Sequence, residues 1–262
     1  MQRRAPDVLV SADGAAALPR LGGMARPGGV VIVSERFWAF AGRDGRLHEC
    51  AMPRPLRIGR RIPLLRGLLR LFASLAPLFR AGGTARRGER LLLLTALAAP
   101  FAFAFLPASF EIAGAVVTTV ALVAMLFRGR TLALHGAEHR AIAAAEARSL
   151  RATWAGSVRP SRFSPRCGTN FAALALPVTV AVQELWPLAF AFYTPLILVV
   201  LSLALTMELW QAVQSSGSRL LRLLLVPGLA LQRVTTREPA LGETRVALLA
   251  VASVLRRELA VD

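Results

Sequence analysis

Lysine is absent from this chain: all 32 of its basic residues are arginine. Cysteine is nearly absent. Cys50 and Cys167 cannot supply the framework of a disulfide-stapled secreted domain and read as reduced thiols on the cytoplasmic side. Acidic residues are few, 15 in all, so the formal net charge is +17. Histidine occurs three times and tyrosine once. The start, Met1 to Ala12, reads as polar and irregular and lacks the charged leader, apolar core and cleavage site of a secretory signal. Insertion into a membrane is therefore expected to rest on internal segments. No Walker loop, nucleotide-binding glycine pattern or Gly-x-Ser-x-Gly elbow is present. A nucleic-acid-binding motif is also missing, and the arginines flank apolar runs instead. Membrane lipid is the expected partner, and nucleic acid is not.

Hydrophobic residues are abundant, 55% of the chain, against about 45–50% in soluble domains. They fall in four uncharged stretches: Leu91 to Phe110, Ile112 to Phe127, Cys167 to Gln183 and Leu185 to Met207. A perpendicular span needs ~20 apolar residues. The second and third stretches are short for that, which leaves tilted spans and re-entrant hairpins as alternatives. The connections near Pro107 to Glu111 and Gln183 to Trp186 hold no arginine. Seventeen arginines precede Leu91, eight lie between Arg128 and Arg166, and seven follow Met207. Retention of positive charge inside predicts a multi-pass protein of the cell membrane with both termini and the middle segment in the cytoplasm.

The remaining segments have their own patterns. Val30 to Cys50 reads as short strands with a turn at Asp44-Gly45. From Ile62 to Arg80, Leu64, Leu65, Leu68, Leu71, Phe72, Leu75 and Phe79 recur at helical spacing among Arg57, Arg60, Arg61, Arg66, Arg70 and Arg80. Such a basic amphipathic helix either lies among lipid headgroups or packs on the protein's own membrane part. Gly82-Gly83 ends it. Pro227 to Pro239 reads as a connector, and Leu241 to Leu259 as a helix with Val246, Leu248, Leu249, Ala250 and Val254 on its apolar face. The fold class expected is mainly α: a polytopic membrane protein with about four apolar helices, a small N-terminal β-rich element, a basic amphipathic helix and a cytoplasmic C-terminal helix. Its divisions are 1–55, 56–90, 91–210 with the middle segment 128–166, and 211–262.

Two of the three histidines fall in His135-Gly136-Ala137-Glu138-His139. A helix places i and i+4 one turn apart on one face, so both imidazoles can reach one metal ion. The order His-x-x-Glu-His is that of the inverted zincin motif, in which Glu138 would be a ligand or the general base. Cys167 returns to the same membrane face and is the natural third ligand; two imidazoles with a thiolate suit a divalent metal, zinc above all. Arg166 beside it would favour the thiolate. Glu146, one further turn pair along, reads as a surface or substrate-facing acid. Glu208 ends the fourth stretch, where an acid is either functional or an interface marker. His48 has no partner in the sequence.

Three blocks carry a family resemblance: His135-Gly136-Ala137-Glu138-His139-Arg140, Pro165-Arg166-Cys167-Gly168-Thr169-Asn170-Phe171, and Pro227-Gly228-Leu229 with Leu231-Gln232-Arg233 and Thr235-Thr236-Arg237-Glu238-Pro239. With Pro63-Leu64-Leu65-Arg66-Gly67, the chain from about Pro19 onward resembles the YqhQ family, a bacterial membrane family of unknown function that carries a metal-dependent enzyme label. The chain departs from it in two places. Ser164 stands where the family's Cys block usually has histidine, removing one further ligand. Leu21-Gly22-Gly23-Met24-Ala25-Arg26 lacks the acid of the family's Glu-Gly-Val-Met-Met-Arg. The resemblance implies a metal site and, more weakly, catalysis. The function expected is a metal-dependent membrane enzyme, a hydrolase at the cytoplasmic leaflet whose substrate and oligomeric state are left open. The alternative is a non-catalytic scaffold in which His135, His139 and Cys167 form a structural metal clip. A transporter is disfavoured because the apolar stretches carry almost no polar residues at mid-depth.

Overall fold

Alternation of apolar residues with turn-forming glycines builds the N-terminal sheet, and helical periodicity builds nearly everything after it. The computed structural model describes residues 5–53, 61–79, 87–103, 130–189 and 191–260, with positions 110, 113, 114, 116–118, 120, 121, 124 and 127. In chain order the elements are α1 (Ala5–Gly14), β1 (Gly22–Arg26), β2 (Gly29–Val33), β3 (Phe37–Gly42), β4 (Leu47–Ala51), α2 (Leu65–Phe79), α3 (Arg87–Phe103), α4 (Thr131–Glu146), α5 (Leu150–Ala155), α6 (Gly168–Glu184), α7 (Thr194–Ser215), the short α8 (Arg219–Arg222) with a 3₁₀ turn (Leu223–Leu225), α9 (Val226–Thr235) and α10 (Leu241–Leu259). The chain divides into two compact bodies, one of residues 1–54, 126–167 and 229–262, the other of 55–125 and 168–228.

In the first body, β1 to β4 form an antiparallel meander in sequence order. The register pairs Ile32 with Ala39 and Val30 with Ala41. One sheet face therefore enters the core with Leu134, Ala137 and Ala141 of α4 and Leu248, Val251 and Leu255 of α10. The alanines let helices approach the sheet closely. Gly45, at φ +81°, makes the expected Asp44-Gly45 reversal between β3 and β4. Arg36 and Ser34 both bind the Glu258 carboxylate, at 2.7 and 2.5 Å, tying the sheet to the end of α10.

Three expectations for this body change. The sequence predicts an irregular start from Met1 to Ala12, yet α1 forms, with Ala5, Leu9 and Ala12 at helical spacing and fully buried in the core. So short a helix is marginal alone and owes its stability to that packing. Its Asp13 carboxylate accepts the Leu150 and Arg151 N–H groups, both at 2.9 Å, at the start of α5. The sheet begins earlier than Val30, because β1 runs through Gly22-Gly23. The connector expected at Pro227 to Pro239 is largely the helix α9. Pro227 sits in its first turn, where the missing N–H has no helical partner to lose.

In the second body α6 packs on α7, and α2 packs on α7 as well. Arg66 of α2 grips the Glu208 carboxylate of α7 with both Nε and Nη2, at 2.9 and 2.5 Å. The amphipathic helix thus uses the protein's own apolar helix as a support, while Phe72 on it stays 59% exposed. Among the described residues one helix, Thr194–Ser215, is long and apolar enough to cross a membrane. α6 has 17 residues, a length of ~26 Å against a hydrocarbon core of ~30 Å. The first stretch is described only as far as Phe103. The connection at 107–111, apart from Phe110, and seven of the positions 112–127 lie outside the described residues, as do Arg57, Arg60, Arg80 and Gly82-Gly83. The four-span expectation thus reduces to one qualifying helix.

Candidate metal centre

The site is built on α4. His135 and His139, one turn apart, bring their rings to a centroid separation of 4.5 Å with planes at 65°. Each ring is then fixed by a backbone carbonyl from elsewhere in the first body. His135 Nδ1 lies 2.8 Å from the Thr235 carbonyl oxygen, and His139 Nδ1 lies 2.7 Å from that of Arg162. A carbonyl only accepts, so each Nδ1 carries the hydrogen and donates it. In the neutral rings both Nε2 atoms are consequently bare lone pairs. His135 Nε2 stands 3.1 Å from Cys167 Sγ. His139 Nε2 is buried without a hydrogen-bond partner, in a residue 1% exposed. One ring nitrogen of each histidine and the Cys167 sulfur all lie within 4.8 Å of one another.

That donor set could hold a metal ion. An orphaned, buried lone pair costs free energy unless something occupies it. Imidazoles oriented by Nδ1–H···O=C bonds are the usual arrangement around protein-bound metals. Cys167, 8% exposed, completes the group.

Gly136 permits the assembly. A Cβ there would collide with the Arg237 carbonyl oxygen and lie 3.2 Å from Pro239. The segment after α9 can therefore lie directly on α4, with Arg237 N–H donating to the Leu132 carbonyl at 2.9 Å. This close approach delivers the Thr235 carbonyl to His135. The loop before Cys167 is held by Gln232, fully buried, whose amide spans Ser164: it accepts the Ser164 N–H and donates to the Ser164 carbonyl, both at 2.8 Å. Arg162 donates to the Thr236 carbonyl at 2.8 Å. Arg140, 5% exposed, donates to Pro160 O at 3.0 Å and to Glu238 at 2.6 Å. These supporting residues are hidden in the sequence because four of their five contacts are to backbone atoms. Gly136, Arg140 and Gln232 lie in the blocks that carry the resemblance, whereas Arg162 lies in none of them.

The other flagged residues are placed as follows. Glu138 is on α4 but outside the donor group; it is buried against β1 and accepts the Ala25 N–H. Burial pushes its carboxyl up to about 7, against the opposing pull of His135 and of that hydrogen bond. Glu146 is exposed and paired with Arg166, so the charge beside Cys167 is already shared with a carboxylate. Glu208 belongs to the second body, with Arg66. His48 and Cys50 lie on β4, where His48 stacks on Phe40 at 6.3 Å.

The family described as Protein of unknown function (DUF1385) matches residues 114–257, more than half of the chain. The chain belongs to the DUF1385 family. No curated protein and no solved structure matches it significantly. The DUF1385 match contains His135, His139, Cys167, Gln232 and Thr235, and it ends within α10. The sheet, α1 and α2 lie outside it.

Proposed function

We propose that this DUF1385 member is a metal-dependent membrane enzyme, a hydrolase acting at the cytoplasmic leaflet, with zinc held by His135, His139 and Cys167. The observation that carries the reading is the convergence of two carbonyl-locked imidazoles on a buried sulfur, one of them with its Nε2 otherwise unsatisfied. Two nitrogens and a sulfur suit zinc, and three protein ligands leave a fourth position open, as catalytic sites do. When bound, such an ion supplies Lewis acidity and lowers the pKa of a water molecule to about 7. The Thr235 and Arg162 carbonyls keep both rings in the ligating tautomer. Glu138, adjacent to His139 on α4 and at the acidic position of the inverted zincin order, takes the proton-transfer role. Its oxygen now accepts the Ala25 N–H, so proton transfer requires that bond to be exchanged. The resemblance to the YqhQ family points the same way.

Membrane embedding is supported by α7 and by the apolar surface of the second body. Leu176, Leu185, Phe192 and Leu196 are all more than half exposed, which fits lipid as their solvent. The arginine asymmetry supports a multi-pass chain with cytoplasmic termini. Three segments assigned to that side, 1–54, 126–167 and 229–262, fold as one body.

Metal analysis of purified protein beside His135→Ala and Cys167→Ala tests the reading. Near-stoichiometric metal in the wild type and its loss from both variants is expected; equal content in all three sinks it. A second reading, a non-catalytic scaffold with a structural metal clip, is favoured by the near-complete burial of His139 and Cys167. Cobalt substitution separates the two. An open position predicts that added azide shifts the visible spectrum, and a closed four-ligand clip predicts no change.

A further inference from the structure

α4 has one face on which His135, His139, Ile142 and Glu146 follow one another, at spacings of four, three and four. The metal centre occupies the first half of that face. The second half borders a half-open groove of about 370 Å³ that neither the donor group nor its supports use. Its floor is apolar, with Leu21 and Ile142 both 5% exposed. Its rim carries Arg20, Arg148 and Arg166 against one carboxylate, Glu146. Arg148 adopts φ +53°, a conformation rare for a side chain of its size, and donates to the Ala12 carbonyl at 2.9 Å. Its Nη2 donates to the Ala16 carbonyl at 3.4 Å, which holds the start of the segment bearing Arg20 and Leu21 against the end of α4. Arg166 immediately precedes the ligand Cys167.

We propose that this groove binds the phosphate group of the substrate of the metal centre, with Arg20, Arg148 and Arg166 on the anion and Leu21 and Ile142 against an apolar portion. The assignment of the bound group as substrate rests on the enzyme reading above. The binding of phosphate does not. Three guanidiniums facing one carboxylate leave the groove net positive, and the planar, always-charged fork of arginine suits phosphate oxygens. The apolar floor excludes a purely hydrated ion-atmosphere role. His139 to Glu146 is seven residues, ~10 Å along the helix, so the groove lies within about that distance of the donor group along α4. A phosphorylated amphiphile or a phosphorylated small metabolite has that reach.

The test uses the full chain in detergent, stripped of metal with a chelator. Titration calorimetry with glycerol 3-phosphate and with inorganic phosphate addresses soluble sources. Nanodiscs with phosphatidic acid, compared with phosphatidylcholine alone, address a lipid source. Saturable binding in at least one arm is expected, weakened about tenfold by Arg20→Ala. Arg20 is exposed, so this variant is expected to keep the wild-type melting temperature and metal content. Arg159→Ala removes an exposed arginine from a different cavity and should bind like the wild type. Saturation in either arm supports the proposal and identifies the source. Absence of binding in every arm overturns it, as does equal binding by the Arg20→Ala and Arg159→Ala proteins. Loss of the enzyme reading would appear separately, as wild-type protein without metal that still binds phosphate through Arg20.

Discussion

Glu138 has the least comfortable surroundings in the first body: a carboxyl 4% exposed, beside β1, with one N–H to accept. Burial raises its pKa from 4.5 to about 7, against the pull of His135 and the Ala25 N–H. A carboxyl raised on folding leaves stability untouched below the unfolded pKa, where both states are protonated. The cost then grows as pH rises and is complete above the folded pKa. In chelator-treated protein, Glu138→Gln should therefore melt like the wild type at about pH 3.5, below the unfolded pKa. It should be more stable at pH 8 by up to about 3 kcal/mol. A variant-to-wild-type gap that stays constant across that range would show that burial does not set this ionisation. On the proposed enzyme reading, the same substitution should leave the metal content unchanged, because the His and Cys donors are unchanged, and abolish turnover.

At the scale of elements, the site depends on how closely the segment after α9 lies on α4. Gly136→Ala places a methyl against the Arg237 carbonyl and pushes that segment away, taking the Thr235 carbonyl from His135. Loss of such an orienting bond typically weakens metal affinity by about 10–100-fold, and metal competition with a chromophoric chelator should read it. Gln232→Leu removes both of the amide's bonds to Ser164, whose carbonyl keeps the Cys167 N–H at 3.4 Å, and should cost about 1–3 kcal/mol. Its unfolding midpoint should fall accordingly, and metal affinity with it. If Gln232→Leu kept wild-type affinity, the loop before Cys167 would be shaped without the amide. These dependencies explain what the sequence could reveal. The His pair was legible because two of three histidines share one helical face, and α10 because its apolar pattern runs unbroken from Leu241 to Leu259. α9 was hidden by Pro227 and Gly228, which read as breakers although they sit at a helix start. β1 was hidden by Gly22-Gly23. The carbonyls of Thr235 and Arg162 were invisible because any residue type supplies a carbonyl; only the path of the backbone says which one meets an imidazole.

At the scale of the whole molecule, charge and apolar exposure make separate claims about the membrane, and each can be tested. The second body carries α7 and side chains such as Phe192, 79% exposed, that water would not tolerate in bulk. Alkaline carbonate should accordingly leave the chain in the membrane pellet. The arginine distribution makes the further claim that the first body is cytoplasmic, and the structure supplies a probe for it. Cys50 is exposed on the outer strand β4, whereas Cys167 is buried in the donor group, so only Cys50 reports by thiol labelling. A membrane-impermeant maleimide should leave Cys50 unmodified in intact cells and modify it once the membrane is permeabilised. Both the β3–β4 turn and the end of α10 belong to the same body, so reporters fused at Gly45 and after Asp262 must agree with Cys50. Ready labelling of intact cells would invert the topology and put His135, His139 and Cys167, all in that body, on the outer face, where a thiol meets oxidising surroundings.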